Sequence, residues 1–325
     1  MGNDLSPAVY AALSAFALNI IFCPIIIPRL TKLKFGQYVR ADGPADHLKK
    51  AGTPTMGGLI IILSFVLISL FFLRPHSENI ALVLVTLGFG LIGFIDDYIK
   101  VVQKRSLGLR AWQKLLGQII VTSLFVAYLM LLRQSPRQTE IYVPFLSVPV
   151  DLGVMYVPFL FVVMLGTVNG ANFTDGLDGL ASGVTVLITA FFLFVAWAVG
   201  SPVMPLAGAA AGSLLGFLLF NSYPARVFMG DTGSLALGGF VAAISILLRM
   251  PLFIAIVALV YLVEVISVII QVGYFKMTRR RFFKMAPIHH SFELSGWSET
   301  KIVAMFYVVT AILCLIGYLG GKTVI

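Results

Sequence analysis

Charge is what this sequence has least of. Of its 325 residues only 11% are Asp, Glu, Lys or Arg, whereas 59% are hydrophobic and mean hydropathy is +0.98. Soluble domains carry roughly 25% charged residues, so a soluble fold of this length would lack the charge to cover its surface. Cysteine is nearly absent. Cys23 and Cys314 both lie inside apolar runs, which fits small buried hydrophobes rather than a disulfide framework or a spaced Cys/His zinc set. The chain also has no G-x-G-x-x-G fingerprint and no H-E-x-x-H element, and "GTPTMGG" lacks the G-x-x-x-x-G-K-[ST] pattern of a P-loop. The start, "MGNDLSPAVY", has no basic n-region, and "RLTKLK" rather than a small-residue cleavage site follows the first apolar run. That run is therefore read as a span, not a removed signal, and Met1-Gly2 does not make a lipidation motif.

Long apolar runs are abundant. Ten segments stand out, at 9–28, 57–73, 79–95, 115–132, 152–168, 180–200, 203–220, 233–248, 251–275 and 302–320. Each is near the roughly 20 residues that a helix needs to cross a bilayer. Backbone polar groups in lipid must be satisfied internally, and continuous runs without strict alternation select helices over barrel strands. The expected fold is an all-α polytopic integral membrane protein with ten transmembrane helices, forming a single membrane-embedded domain over residues 1–325. The shortest segment, 233–248, is the weakest span. "TEIYVPFLSVPVDLG", at 139–153, mixes β-branched residues, aromatics and prolines, which suits a short extracytoplasmic β-hairpin.

Lys and Arg set the orientation. The connections 29–56, 96–114, 169–179, 221–232 and 276–301 hold 6, 5, 0, 1 and 6 of them, 18 of the 23 in the chain. The positive-inside tendency places these connections in the cytoplasm and both termini outside. The formal net charge of +9 then follows from topology and from attraction to anionic lipid or nucleotide, without nucleic-acid binding.

Nine of the fourteen carboxylates fall in the same connections, and five of these adjoin helix ends. "GFIDDYIK" puts Asp96 and Asp97 where the third segment leaves the membrane, "NFTDGLDGLASG" puts Asp175 and Asp178 before the sixth, and "VFMGDTGSLALGG" puts Asp231 before the eighth. Each has a structural alternative: an N-cap at Asp231, turn residues at Asp175 and Asp178, a solvated helix terminus at Asp96-Asp97. Together on one side they repel one another, and a divalent cation would relieve that; Mg²⁺ takes oxygen ligands and bridges phosphates. Spaced by three, Asp175 and Asp178 would face alike on a helical turn. Lys49, Lys50, Thr53, Thr55, Lys100, Lys104 and Arg105 are candidate phosphate binders, though cytoplasmic topology alone accounts for lysines there. His289 and His290, beside "RRRFFK", suit hydrogen bonding to a diphosphate or proton transfer. Glu264 lies inside the ninth segment, where a carboxylate is functional by default; it keeps an ion-coupled transporter in view.

"KKAGTPTMGG", "GFIDDYIK", "NFTDGLDGLASG", "VFMGDTGSLALGG" and "PIHHSFELSGW" together resemble the phospho-N-acetylmuramoyl-pentapeptide transferases, within the polyprenyl-phosphate N-acetylhexosamine-1-phosphate transferases. The blocks run in family order from 49 to 297. The resemblance implies transfer of phospho-MurNAc-pentapeptide from UDP-MurNAc-pentapeptide to undecaprenyl phosphate in a bacterial inner membrane. Lipid I and UMP would be the products and Mg²⁺ the cofactor, with the active site facing the cytoplasm. It implies Asp231 at the metal, Asp96 and Asp97 near the lipid phosphate, and Asn172, Asp175, Asp178 and Phe228 around the uridine diphosphate. It implies His289 and His290 in the substrate region, and Lys50, Thr55, Lys100 and Lys104 in the polar cleft. The catalytic set expected on this basis is Asp96, Asp97, Asp231 and His289. Ser291 stands where the family commonly has a third histidine. Homodimerisation is a family expectation, and "PLAGAAAGSLLG" would allow close helix packing within one chain or between two. A sister transferase acting on UDP-GlcNAc would share the aspartates but not "PIHHSFEL". A receptor or purely structural protein should tolerate their neutralisation. Direct displacement, with Asp96 as base, and a route through a phospho-aspartate are both compatible with the sequence.

Overall fold

The computed structural model describes residues 4–32, 52–102, 108–133 and 137–322. All ten apolar segments are helical: α1 (Ser6–Lys32), α2 (Gly58–Ser69, continued by a 3₁₀ turn Leu70–Phe72), α3 (Ser77–Val102), α4 (Ala111–Ala127), α5 (Tyr156–Thr174), α6 (Leu180–Ala198), α7 (Met204–Asn221), α8 (Gly230–Leu247), α9 with α10 (Ile254–Val257 and Leu259–Thr278) and α12 (Glu299–Gly321). A short α11 (Ile288–Glu293) lies in the connection before α12. Nine helices among the described residues are long and apolar enough to cross a membrane; Gly58–Phe72 is apolar but shorter than the span expected at 57–73. The ninth segment is not one continuous helix. Pro251 opens a 3₁₀ turn, and the chain breaks again at Ala258, whose φ of −112° and ψ of 29° separate α9 from α10. The expected hairpin is present as β1 (Glu140–Ile141) paired antiparallel with β2 (Val150–Asp151).

The bundle is layered by burial. α8, the weakest span in the sequence, is its centre: every residue from Thr232 to Leu247 is buried. Its low hydropathy reflects Gly and Ser at helix crossings rather than contact with water. Around it α1, α4, α10 and α12 leave Leu13, Leu124, Ile269 and Leu315 exposed, as a lipid-facing layer requires. The glycines of "PLAGAAAGSLLG" are used within the chain. A Cβ on Gly208 would lie 2.3 Å from Ala8 O, and one on Gly212 would lie 2.0 Å from Ala12 O. This parallel α1–α7 seam is a small-residue helix contact of the kind that suits membranes, and it is therefore not available as a dimer face.

α3 also departs from expectation. It continues to Val102, so Asp96 and Asp97 lie inside its last two turns and are 2% and 3% exposed. They are not a solvated terminus. The C-terminal ends of α3 and α5 and the N-terminal ends of α4 and α8 meet at this level, while Ser6 and Gly321 lie at the other end of the bundle.

Candidate active site

The crossing of α3 and α8 builds the site. A Cβ on Gly93 would lie 2.0 Å from Asp231 O, and one on Gly58 would lie 2.1 Å from Gly233 N, so both backbones close onto the first turn of α8. That approach brings Asp97 beneath the helix start. Its Oδ2 accepts from Thr232 N at 2.9 Å and Thr232 Oγ1 at 2.7 Å, and its Oδ1 accepts from Asp231 N at 3.2 Å. The opening N–H groups of a helix have no intrahelical partner and carry partial positive charge. Asp97 thus caps α8 from another helix. Asp231, in the first turn itself, is freed from the N-cap role open to it in the sequence.

The side chain of Asp231 is held from three helices, α3, α4 and α5. Lys100 Nζ and Lys114 Nζ both reach its Oδ2 at 2.9 Å, and Asn172 Nδ2 donates to its Oδ1 at 2.9 Å. Lys114 also donates to Asn172 Oδ1 at 2.7 Å, and Asn172 to Ser234 Oγ at 2.8 Å, closing a network across α3, α4, α5 and α8. Asp96 Oδ2 meets Lys100 Nζ at 2.5 Å, and its Oδ1 accepts Leu109 N at 2.8 Å. Lys114 is the residue the sequence reading missed. It looks like one of many cytoplasmic cations, and the signal that marks it is Gln118 one turn on. Gln118 and Asn169 exchange amide hydrogen bonds at 2.8 and 3.2 Å, locking α4 to α5 one turn from Lys114 and Asn172.

Asp175 and Asp178 do not face alike, because α5 ends at Thr174 and a turn separates them. Asp175 lies toward the cluster. Burial and the negative charges of Asp231 and Asp97 hold its carboxyl well above the usual carboxylate range, offset in part by the Gly230 N–H. Asp178 faces the other way: its Oδ2 accepts Ala225 N at 2.9 Å, and its own N–H donates to Glu299 Oε1 at 2.6 Å. With Asn221, which donates to Val227 O at 3.0 Å, it fixes the loop carrying Phe228. Phe228 is half-buried, and its backbone pairs with the Thr55 segment through Phe228 N to Pro54 O and Gly57 N to Phe228 O, both 2.8 Å. Thr55 is buried; a Cβ on Gly230 (φ +74°) would lie 2.8 Å from its Oγ1 and 2.6 Å from Asp97 Oδ2.

The histidines form a second group. His289 is fully buried with its Nδ1 3.1 Å from Glu264 Oε2, and His290 Nδ1 is 2.6 Å from Glu293 Oε2. Ser291, in place of the usual third histidine, bonds the local backbone: its Oγ donates to Met285 O at 2.5 Å and accepts Met285 N at 3.1 Å. Lys49, Lys50, Lys104 and Arg105 lie outside the described residues.

The donor set fits Mg²⁺. Asp96, Asp97 and Asp231 each offer a carboxylate oxygen within 4.8 Å of the others, all hard ligands, and Asp96 Oδ2 is buried without an aligned hydrogen bond. Three carboxylates against two ammonium groups leave a formal negative charge uncompensated. A cation entering here would share Asp231 with the two lysines, leaving an electropositive face for an anionic substrate.

Residues 79–249 match the family model described as glycosyl transferase family 4, and residues 50–62 match phospho-N-acetylmuramoyl-pentapeptide-transferase signature 1. The chain is 50% identical to the phospho-N-acetylmuramoyl-pentapeptide-transferase of Acetivibrio thermocellus over 319 residues, 97% of this chain and 96% of that one. It is 49% identical to that of Clostridium novyi over 322 residues, 97% of each, and 48% identical to that of Clostridioides difficile over 319 residues, 97% of this chain and 98% of the relative. The chain belongs to the phospho-N-acetylmuramoyl-pentapeptide-transferase family.

Proposed function

We propose that this protein transfers phospho-MurNAc-pentapeptide from UDP-MurNAc-pentapeptide to undecaprenyl phosphate, releasing UMP and forming lipid I in peptidoglycan synthesis. The observation that carries this reading is the carboxylate group of Asp96, Asp97 and Asp231 at one end of a bundle of apolar helices, with Lys100 joining Asp96 to Asp231 and Lys114 also on Asp231. A lipid acceptor explains the membrane helices, and a nucleotide donor explains a polar site at the basic, cytoplasmic end. The chain crosses the inner membrane ten times, Gly58–Phe72 included, with both termini outside.

Asp231 would hold Mg²⁺, with Asp97 fixing the turn that presents it and Asp96 beside it for the lipid phosphate. Bound there, the ion would neutralise diphosphate charge and stabilise the UMP leaving group. Lys100 and Lys114 contact the same oxygen of Asp231 from α3 and α4, so both ammonium groups are poised to turn to the phosphate oxygens as charge develops. A lipid phosphate oxygen attacks the β-phosphorus of the nucleotide sugar, the P–O bond to UMP breaks, and UMP leaves with the bridging oxygen. Asp96 accepts the proton of any lipid phosphate that still carries one; with a second pKa near 6, much of it is already ionised at neutral pH. Thr55, Asn172, Asp175 and Phe228 line the approach of the uridine diphosphate, with Asp178 holding the Phe228 loop. His289 and His290 act from the C-terminal connection, and Lys50 and Lys104 supply further positive charge.

UMP release by detergent-purified protein tests the reading, with UDP-MurNAc-pentapeptide, undecaprenyl phosphate and Mg²⁺, each omitted in turn. A UDP-GlcNAc control and a D231N variant complete it. Release that needs all three and is lost in D231N is expected. No release by folded wild-type protein overturns the assignment, and release from UDP-GlcNAc alone moves the chain to the sister transferases.

A further inference from the structure

Glu264 sits in the second turn of α10, a buried carboxylate that the reaction outlined above does not use. Its side chain is 0% exposed, and so is that of His289, which α11 delivers against it. The Oε2–Nδ1 separation is 3.1 Å, without the alignment of a hydrogen bond, and neither carboxylate oxygen of Glu264 nor either ring nitrogen of His289 has a hydrogen-bond partner among the described residues. An isolated carboxylate at this depth would be strongly penalised. Two bare acceptors would repel at this separation, and a proton on either atom turns the contact into an attraction that a small tilt of the imidazole aligns.

The opposite edge of the ring meets the active-site turn. A Cβ on Gly176 would lie 2.1 Å from His289 Nε2 and 2.6 Å from its Cε1, so the imidazole packs directly on the Gly176 backbone. Gly176 follows Asp175, the residue that ends α5 and turns toward the aspartate cluster. The order of contact is Glu264, His289, Gly176, Asp175, running from the lipid-facing helix α10 to the site. His290 lies tilted against the same ring, with 4.1 Å between centroids and 59° between planes, and is itself paired with Glu293.

We propose that Glu264 is a positioning residue. Through Nδ1 it fixes the tautomer and tilt of His289, whose Nε2 edge braces the Asp175–Gly176 turn on the nucleotide side of the site. This rests on the transferase reading for its kinetic consequence but not for its structural one. It also gives the intramembrane carboxylate a role without ion coupling. Carboxylates that orient a metal-bound histidine are typically worth about 10–100-fold in affinity or activity, and an effect of that order is expected of Glu264 on His289. Because the brace ends at the nucleotide turn, the loss should appear in the KM for the nucleotide sugar and not in the KM for the lipid.

The test uses the full chain in detergent, with ¹⁵N-labelled histidine. Only four histidines are present, and an H289Q variant assigns the ring signals of His289. E264Q keeps an acceptor oxygen at Nδ1; E264L removes it. Wild type and E264Q should show the Nδ1–H tautomer, and E264L should lose it. E264L should raise the KM for UDP-MurNAc-pentapeptide about 10–100-fold, with the KM for undecaprenyl phosphate within about two-fold and E264Q recovering most of the loss. An unchanged His289 signal in E264L, or equal kinetics in E264L and wild type, overturns the proposal. Should E264L not keep its melting temperature, E264Q decides: a retained Nδ1–H with KM within about five-fold supports the brace, and a lost Nδ1–H with unchanged KM refutes it. Wild-type protein that releases no UMP sinks the transferase reading instead, while the tautomer measurement still decides the Glu264–His289 contact.

Discussion

Replacing Gly93 by alanine should damage both the fold and the site through a single methyl group. The added Cβ would lie 2.0 Å from Asp231 O, 2.3 Å from Asp231 C and 2.6 Å from Thr232 N, all backbone atoms at the start of α8. No side-chain rotation relieves such a clash. Ordinary contact requires α3 and α8 to separate locally by more than about 1 Å. The Asp97 bonds to Thr232, now 2.9 and 2.7 Å, would then exceed hydrogen-bonding range and leave a buried carboxylate uncompensated. Overpacking costs about 1–3 kcal/mol, and losing a charged hydrogen-bonded cap costs roughly 1.5–3 kcal/mol. A total of about 3–6 kcal/mol should lower the unfolding midpoint by about 10 °C. Misplacing Asp96 and Asp97 relative to Asp231 by about 1 Å should cut kcat about 10²-fold even well below that midpoint. G166A is the control: it lies in α5, and nothing falls within 4 Å of its added Cβ. Thermal unfolding in detergent and UMP release, measured for both variants, decide the matter. If G93A melts and turns over like G166A, the close approach of α3 and α8 does not set the site.

K114Q removes one of two ammonium groups from Asp231 and should lower kcat about 10²–10³-fold; K114R should recover part of it, and activity within two-fold of wild type would exclude Lys114 from the chemistry. Asp175 carries a pH signature. Its carboxyl titrates above the ordinary range in the folded chain, so its contribution to stability is intact below the unfolded pKa and is lost as pH rises through the folded one. In metal-free protein, D175N should therefore gain thermal stability over wild type as pH increases from 4 to about 8, and a difference independent of pH would contradict this. D178A frees the Ala225 N–H and loosens the Phe228 loop; it should destabilise by about 1–3 kcal/mol and raise the nucleotide-sugar KM with little change in the lipid KM, as steady-state kinetics would show. Added Mg²⁺ should raise the melting temperature of wild type but not of D231N.

Much of this was legible in the sequence because it is set by local composition. Apolar runs must become helices where backbone groups find no water, and all ten did. The basic connections and clustered aspartates marked one end of the bundle as the working end, and Asp96, Asp97, Lys100, Asn172 and Asp231 do meet there. Spacing was a poorer guide where a helix ended unseen. Asp175 and Asp178 are three apart, but the termination of α5 at Thr174 sends one to the cluster and the other to the Phe228 loop. The Ala258 break was equally hidden, since apolar residues continue across it.

Tertiary structure alone decided which partner each polar group has, because those partners come from distant parts of the chain. Asp97 caps α8 from 135 residues away, Lys114 reaches Asp231 across 117, and Glu264 finds His289 where α11 folds back onto α10. Composition fixes which groups must leave the lipid and at which end of the bundle they gather. Which of them bind, cap or brace is settled by glycine-sized gaps between helices, and those distances exist only once the bundle has packed.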